Sequence, residues 1–222
     1  MKILQRNSKS KWSEEELVSF QNRWRAVTIP VNIKIDTHHN TLHLDRVLAI
    51  LRSSEKIAVT NCICRIDLQN CDFPLKVCLS LNGSAIKNVS NGTAEFISKN
   101  EAEKIVLETH QKGLVHLALH RPEEDEKNIQ AICSCCSCCC HALQGLLLMN
   151  MGELVKPSEY ISQHDLVKCI NCGECTSNCH FMARTLNERG DMTFNQARCF
   201  GCGLCVTSCP EEAITMIKRI LV

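Results

Sequence analysis

The 222-residue sequence has no apolar run long enough to cross a bilayer. Its longest, "GLLLMNM" at 145–151, falls far short of the ~20 residues a spanning helix needs. The basic N-terminus has no apolar stretch behind it, so it does not read as a secretory signal, and the expected location is the cytoplasm. Charge of one sign is also missing: the formal net charge is +1, with no general pull toward nucleic acid. The first 60 residues carry a mild basic excess that reads as a solvated face. Absent too are G-x-S-x-G, a Rossmann glycine fingerprint, a P-loop and H-E-x-x-H, so no familiar acid–base or nucleotide chemistry announces itself. Hydrophobic content of 45% and charged content of 22% are those of an ordinary globular chain, long enough for one or two domains.

What the sequence does have is cysteine, 18 residues in all. A secreted protein would use them for disulfides, but a cytoplasmic setting keeps thiols reduced, and metal or iron–sulfur ligation becomes the leading explanation. The C-terminal part supports it through an internal repeat. "DLVKCINCGECTSNCHFMA" and "NQARCFGCGLCVTSCPEEA" align at an offset of 30 residues, so Cys169, Cys172, Cys175 and Cys179 map onto Cys199, Cys202, Cys205 and Cys209. Each unit reads C-x2-C-x2-C-x3-C. Three cysteines at intervals of three, with glycine between, let one loop wrap three corners of a cubane while its N–H groups face the cluster sulfurs. The fourth reaches the other cluster. The expected ligand sets are Cys169, Cys172, Cys175 and Cys209 for cluster I, and Cys199, Cys202, Cys205 and Cys179 for cluster II.

These two runs resemble the two-[4Fe-4S] bacterial-type ferredoxin family over residues 165 to about 218. The resemblance implies a small pseudo-twofold α+β domain and one-electron transfer. The sequence departs from the family pattern once: Cys209 is followed by Pro210, whereas Cys179 is followed by His180.

The remaining ten cysteines lie in two segments. "CICRIDLQNCDFPLKVC" holds Cys62, Cys64, Cys71 and Cys78, and "ICSCCSCCC" holds Cys133, Cys135, Cys136, Cys138, Cys139 and Cys140, with His141 adjoining as the best non-cysteine candidate. Six thiols in eight positions exceed what one four-coordinate ion or one cubane takes, so ligands shared between the two segments are expected, enough for two further four-ligand cubanes with two thiols over. Arg65 and Lys76 are placed to offset cluster charge. Over its full length the chain resembles larger, ferredoxin-like iron–sulfur proteins of anaerobes that carry CICR and ICxCCxCCC segments ahead of a dicluster domain. That resemblance implies iron–sulfur electron transfer and anaerobic metabolism but names no substrate.

The secondary-structure signals of the front part are mixed. Ser13 and Glu16 fit a capping box opening a helix that Pro30 would stop, and Ser98 and Glu101 fit a second one ahead of a helix ended by Gly113. "VNIKID" alternates as a strand, "LDRVLAILRSS" is an amphipathic helix, "KIAVTNCICRI" reads as a strand putting Cys62 and Cys64 on one face, and "LVHLAL" follows as another strand. The helix before "LVHLAL" is too acidic for a DNA-recognition helix. The predicted class is α+β: an N-terminal cysteine-rich domain (1–155) holding one or two additional iron–sulfur clusters, a linker (156–164) and a two-[4Fe-4S] ferredoxin domain (165–222). The expected function is a soluble electron carrier docking redox partner proteins, either non-catalytic or the electron-transfer subunit of an oxidoreductase. Alternatives are a reductase or activating-enzyme component with a catalytic cluster in the front domain, and a redox- or metal-sensing regulator.

Overall fold

The structure, a computed structural model, describes residues 11–30, 33–37, 40–44, 46–124 and 128–219. The fold is α+β, with ten cysteines in the N-terminal part and eight in the C-terminal part. In chain order the front part carries α1 (Glu14–Arg23), β1 (Arg25–Ile29), β2 (Ile33–Thr37), β3 (Asn40–Leu44), α2 (Arg46–Ser53), β4 (Ile57–Asn61), α3 (Ile63–Leu68), β5 (Lys76–Leu81), α4 (Asn82–Ser90) and β6 (Glu95–Ile97). It continues through α5 (Lys99–Gln111), β7 (Val115–His120), β8 (Ala131–Cys135), α6 (His141–Leu148) and β9 (Val155–Lys156). The C-terminal part has β10 (Tyr160–His164), α7 (Glu174–Ser177), β11 (Arg184–Leu186), β12 (Met192–Phe194), α8 (Leu204–Thr207) and β13 (Ile214–Lys218). No helix among the described residues is long and apolar enough to cross a membrane.

Seven strands form the main sheet in the order β6-β4-β5-β8-β7-β1-β9, antiparallel except for the parallel β1–β9 edge. Its two faces bury different things. On one, α2 and α5 pack Val47, Leu51, Ala102 and Val106 against Ile57, Val59, Leu79 and Ile132. On the other, Val115, Leu117 and Leu119 of β7 meet Ala142, Leu143, Cys135 and Cys140, together with Phe181 and Leu204 from the C-terminal part. Alternation along the strands makes this division, since successive side chains point to opposite faces. In β8, Ile132 goes to the helical face and Cys133 and Cys135 to the other.

Both capping boxes are present. Ser13 Oγ accepts from the Glu16 N–H at 3.3 Å and Glu16 accepts from the Ser13 N–H at 2.8 Å, and the same exchange joins Ser98 and Glu101 at the start of α5. Two other expectations change. The first helix ends at Arg23, not at Pro30, because Arg25–Ile29 pairs along β7 from Arg25↔His120 to Ile29↔His116. The strand through "KIAVTNCICRI" stops at Asn61, where the ladder slips by a bulge, and Cys62 becomes the N-cap of α3. Cys62 and Cys64 therefore do not share a strand face. Of "VNIKID" and "LDRVLAILRSS", Val31, Asn32 and Asp45 lie outside the described residues, and the remainder supplies β2, the end of β3 and α2.

The segment 156–164 carries the end of β9 and all of β10. β10 pairs antiparallel with β13, and β13 also pairs with β2 at Met216↔Ile35, giving a second sheet in the order β10-β13-β2-β3. A hairpin from the front part thus extends the sheet of the C-terminal part.

Candidate metal centres

In the C-terminal part the repeat becomes a repeated local geometry. Gly173 and Gly203 sit at φ 81° and 82° and each opens a one-turn helix, α7 or α8. A left-handed residue there lets the chain turn sharply between the second and third cysteine of each run. The fourth cysteines, Cys179 and Cys209, accept N–H bonds on sulfur from Ala183 (3.2 Å) and Ala213 (3.3 Å), again 30 residues apart. Such N–H donors favour a thiolate carrying cluster charge.

Two concavities of nearly equal empty volume, about 340 and 330 Å³, lie in this part. Cys169, Cys172, Cys175 and Cys209 line the first; Cys199, Cys202, Cys205 and Cys179 line the second. Each cavity thus receives three thiols from one run and the fourth from the other. In the second, burial raises the Cys202 thiol well above its ordinary range and pushes Cys205 up to about 11. A cationic metal core would offset the cost of ionising thiols placed as Cys202 and Cys205 are, and the four-cysteine donor set fits a cubane.

Sequence reasoning missed Arg184. Its side chain is buried at 2% exposure, donates to Ser162 Oγ at 3.0 Å and to Met192 sulfur at 3.6 Å, and stands 4.4 Å over the Phe194 ring. Its positive charge favours the thiolate forms of both Cys175 and Cys205, one from each cavity. The repeat held the signal: Arg184 falls where the second unit has the buried Ile214.

His180 is buried and spans two parts of the chain. Nε2–H donates to the Gly113 carbonyl at 2.7 Å and Nδ1 accepts from Ser137 Oγ–H at 3.0 Å. Ser137 lies in the turn that follows β8, so the residue after Cys179 is fastened to the cysteine-rich segment.

The ten front cysteines come together from both segments, divided into six and four. Cys62, Cys64, Cys140, Cys135, Cys133 and Cys78 stand next to one another in that order, each beside two others, so that they close into a ring. The fold builds it from strand alternation in β8, from β5 lying beside β8, and from the start of α3 and the N-cap of α6. The ring lines a cavity of about 400 Å³ empty volume, which Cys136 and Cys139 also border and which is no smaller than the two C-terminal cavities. Arg65 also lines it, donating to the Pro74 carbonyl at 2.6 Å and to the Ser134 carbonyl. Lys76, by contrast, points outward and pairs with Glu95. His141 stacks on Trp12 at 3.6 Å between ring centroids and brings Nδ1 to 3.1 Å from Cys64 sulfur.

The second group is Cys71, Cys136, Cys138 and Cys139, whose sulfurs all lie within 4.8 Å of one another. Sulfur–sulfur hydrogen-bond contacts join Cys71 to Cys136 and to Cys139, and Cys139 to Cys138.

Residues 168–213 match the family model of the 4Fe-4S dicluster domain, which supports a ferredoxin-like C-terminal part. The match covers the two repeated runs and stops short of the front cysteines. No curated protein matches the chain.

Proposed function

We propose that this chain is a multicentre electron carrier, in which residues 165–222 exchange electrons with a partner protein and residues 1–155 hold a further iron–sulfur centre in the six-thiol ring. The reading rests on one observation above all: each of two equal cavities is lined by four cysteines, three from one repeat and one from the other. Cys169, Cys172, Cys175 and Cys209 would hold one [4Fe-4S] cluster, and Cys199, Cys202, Cys205 and Cys179 the second. Bound there, each supplies a site that takes up and releases one electron. The chain's residues set the conditions. Ala183 and Ala213 N–H groups and the Arg184 guanidinium offset negative charge, and Phe181 and Phe200, stacked at 4.5 Å, keep water from the second cavity.

Exposure supports a direction. Cys172 of the first cavity is exposed, and beside it Leu166, Val167 and Ile170 show 77%, 95% and 62% of their surface. An apolar rim round an exposed ligand suits a transient redox-partner contact. The second cavity faces inward: Cys179 and Cys202 pack into the same core as Cys135, Cys140 and Cys133 of the ring. That placement supports the order partner, first site, second site, ring.

Reconstitution with iron and sulfide under exclusion of oxygen tests the reading. About eight irons are expected from the two ferredoxin-type sites, with further iron in the ring. A Cys62→Ala/Cys133→Ala variant should fall to about eight while keeping a reducible EPR signal. Fewer than about four irons in the unmutated chain, with no reducible signal, would sink the proposal.

A further inference from the structure

We propose that Cys71, Cys136, Cys138 and Cys139 form a separate site for a single tetrahedral zinc ion, containing no inorganic sulfide. The case is geometric. The sulfurs of Cys71 and Cys136 are 3.8 Å apart, those of Cys71 and Cys139 3.7 Å, and those of Cys138 and Cys139 3.8 Å. Four thiolates at about 2.3 Å from one central ion stand about 3.8 Å from each other along the edges of a tetrahedron. A cubane attaches its four thiolates to four different irons, which spreads them further. This chain supplies the comparison, since neither ferredoxin-type set of four is drawn together within 4.8 Å as this group is.

The contact patterns agree. Each of these four sulfurs lies within 4.8 Å of the other three, the all-to-all closeness of a tetrahedron, whereas the six-thiol ring is a hexagon lining a cavity. A hexagon has more corners than one four-coordinate ion can use. Cys136 and Cys139 border the ring's cavity as well, so the two groups adjoin, but only the four-thiol group is drawn together tightly enough for one ion.

The surroundings are those of a closed structural site. Cys136, Cys138, Cys139 and Leu114 form a small buried cluster with Leu68 and Phe73 packed against it. The segment 69–75, which carries Cys71, has no helix or strand of its own. Asn70 Nδ2 donates to the Cys138 carbonyl at 2.7 Å, bringing the loop onto the turn that holds the other three ligands. The buried Arg65 guanidinium stands 5.8 Å from the Phe73 ring centroid, with its Nε unpartnered among the described residues, and offsets the negative charge of a four-thiolate site. Four thiol protons leave as Zn²⁺ binds, giving a dianionic centre with no change of oxidation state. With all four positions taken by protein, the ion staples the 69–75 loop to the β8–α6 turn and opens no position for substrate. The site is independent of the electron-transfer reading.

Full-length protein purified without oxygen from cells supplied with both metals tests it, by assaying zinc, iron and acid-labile sulfide together. About one zinc per chain is expected, and Cys71→Ser/Cys138→Ser should lose it while iron and sulfide hold. Cys71→His, which replaces one zinc ligand by another, should keep it. Should the double variant fail to fold, zinc-edge X-ray absorption on the unmutated chain provides a second readout: four sulfurs at about 2.3 Å support the site. Loss of iron and sulfide together from a folded double variant, loss of iron without sulfide, or no zinc in the unmutated protein would each overturn it.

Discussion

Arg65 and Arg184 are each 2% exposed, and each stands among thiols and apolar side chains rather than beside a carboxylate. A buried guanidinium is costly unless an anion compensates it, and in both places cysteine sulfur is the anionic chemistry at hand. For Arg184 the consequence is electrochemical. A cluster gains negative charge on reduction, so a nearby cation favours the reduced form. Arg184→Met should lower the midpoint potentials of the ferredoxin-type centres by on the order of 50–100 mV, with iron content retained. Arg184→Lys, which keeps the charge, should sit much closer to the unmutated protein. Protein-film voltammetry on the two variants decides it, and equal potentials in the Arg184→Met variant and the unmutated chain would remove the role. His110 is a structural histidine: burial holds it neutral, its pKa lowered to about 4, with Nε2 2.8 Å from Thr207 Oγ1.

Among the elements, Gly201 marks a place where backbone meets backbone. It sits at φ 68°, and a Cβ there would come within 2.0 Å of the Tyr160 carbonyl oxygen on β10. The equivalent position in the first repeat is Asn171, at φ 56°, whose Oδ1 accepts from the Met192 N–H at 2.9 Å. One repeat thus packs under a strand of the linker region and the other does not. Gly201→Ala should destabilise the chain by roughly 2–4 kcal/mol and loosen the Cys199–Cys205 loop. Thermal loss of visible iron–sulfur absorbance, at a lower midpoint than in the unmutated protein, is the measurement. The same contrast between local and distant causes governs what could be read from the sequence. Both capping boxes and the cysteine spacing of the two runs are legible because the partners lie within a few residues of each other. β1 is not legible, because its strand state comes from pairing with β7 some ninety residues away. The split of the front thiols into six and four was hidden for the same reason. It depends on β5 lying beside β8 and on a bulge at Thr60/Asn61 that ends β4 and hands Cys62 and Cys64 to a helix.

The whole molecule is joined more closely than a two-domain sequence pattern suggests. Phe181 and Leu204 from the C-terminal part complete a core begun by β1, β7 and α6, and His180 locks Gly113 and Ser137 to the end of the first cysteine run. The residue that departs from the ferredoxin pattern is the one that makes this attachment. His180→Pro, which restores the pattern, should leave the two ferredoxin-type sites able to take iron. It should cost roughly 1–3 kcal/mol through the two lost hydrogen bonds. In denaturant, fluorescence of Trp12 and Trp24 and the iron absorbance should change together in the unmutated chain and at separate midpoints in the variant. Coincident transitions in both proteins would show that the attachment does not couple the halves.

The hairpin β2–β3 has a different kind of consequence, one of timing. Its partner β13 lies about 180 residues later in the chain, so a ribosome releases the hairpin long before the strand that covers its edge exists. Until β13 has been made, that edge is an unpaired template for strangers. A nascent chain truncated anywhere before Ile214 carries the exposed edge permanently, so translational pausing or C-terminal clipping should reveal itself as aggregation rather than as a stable front half.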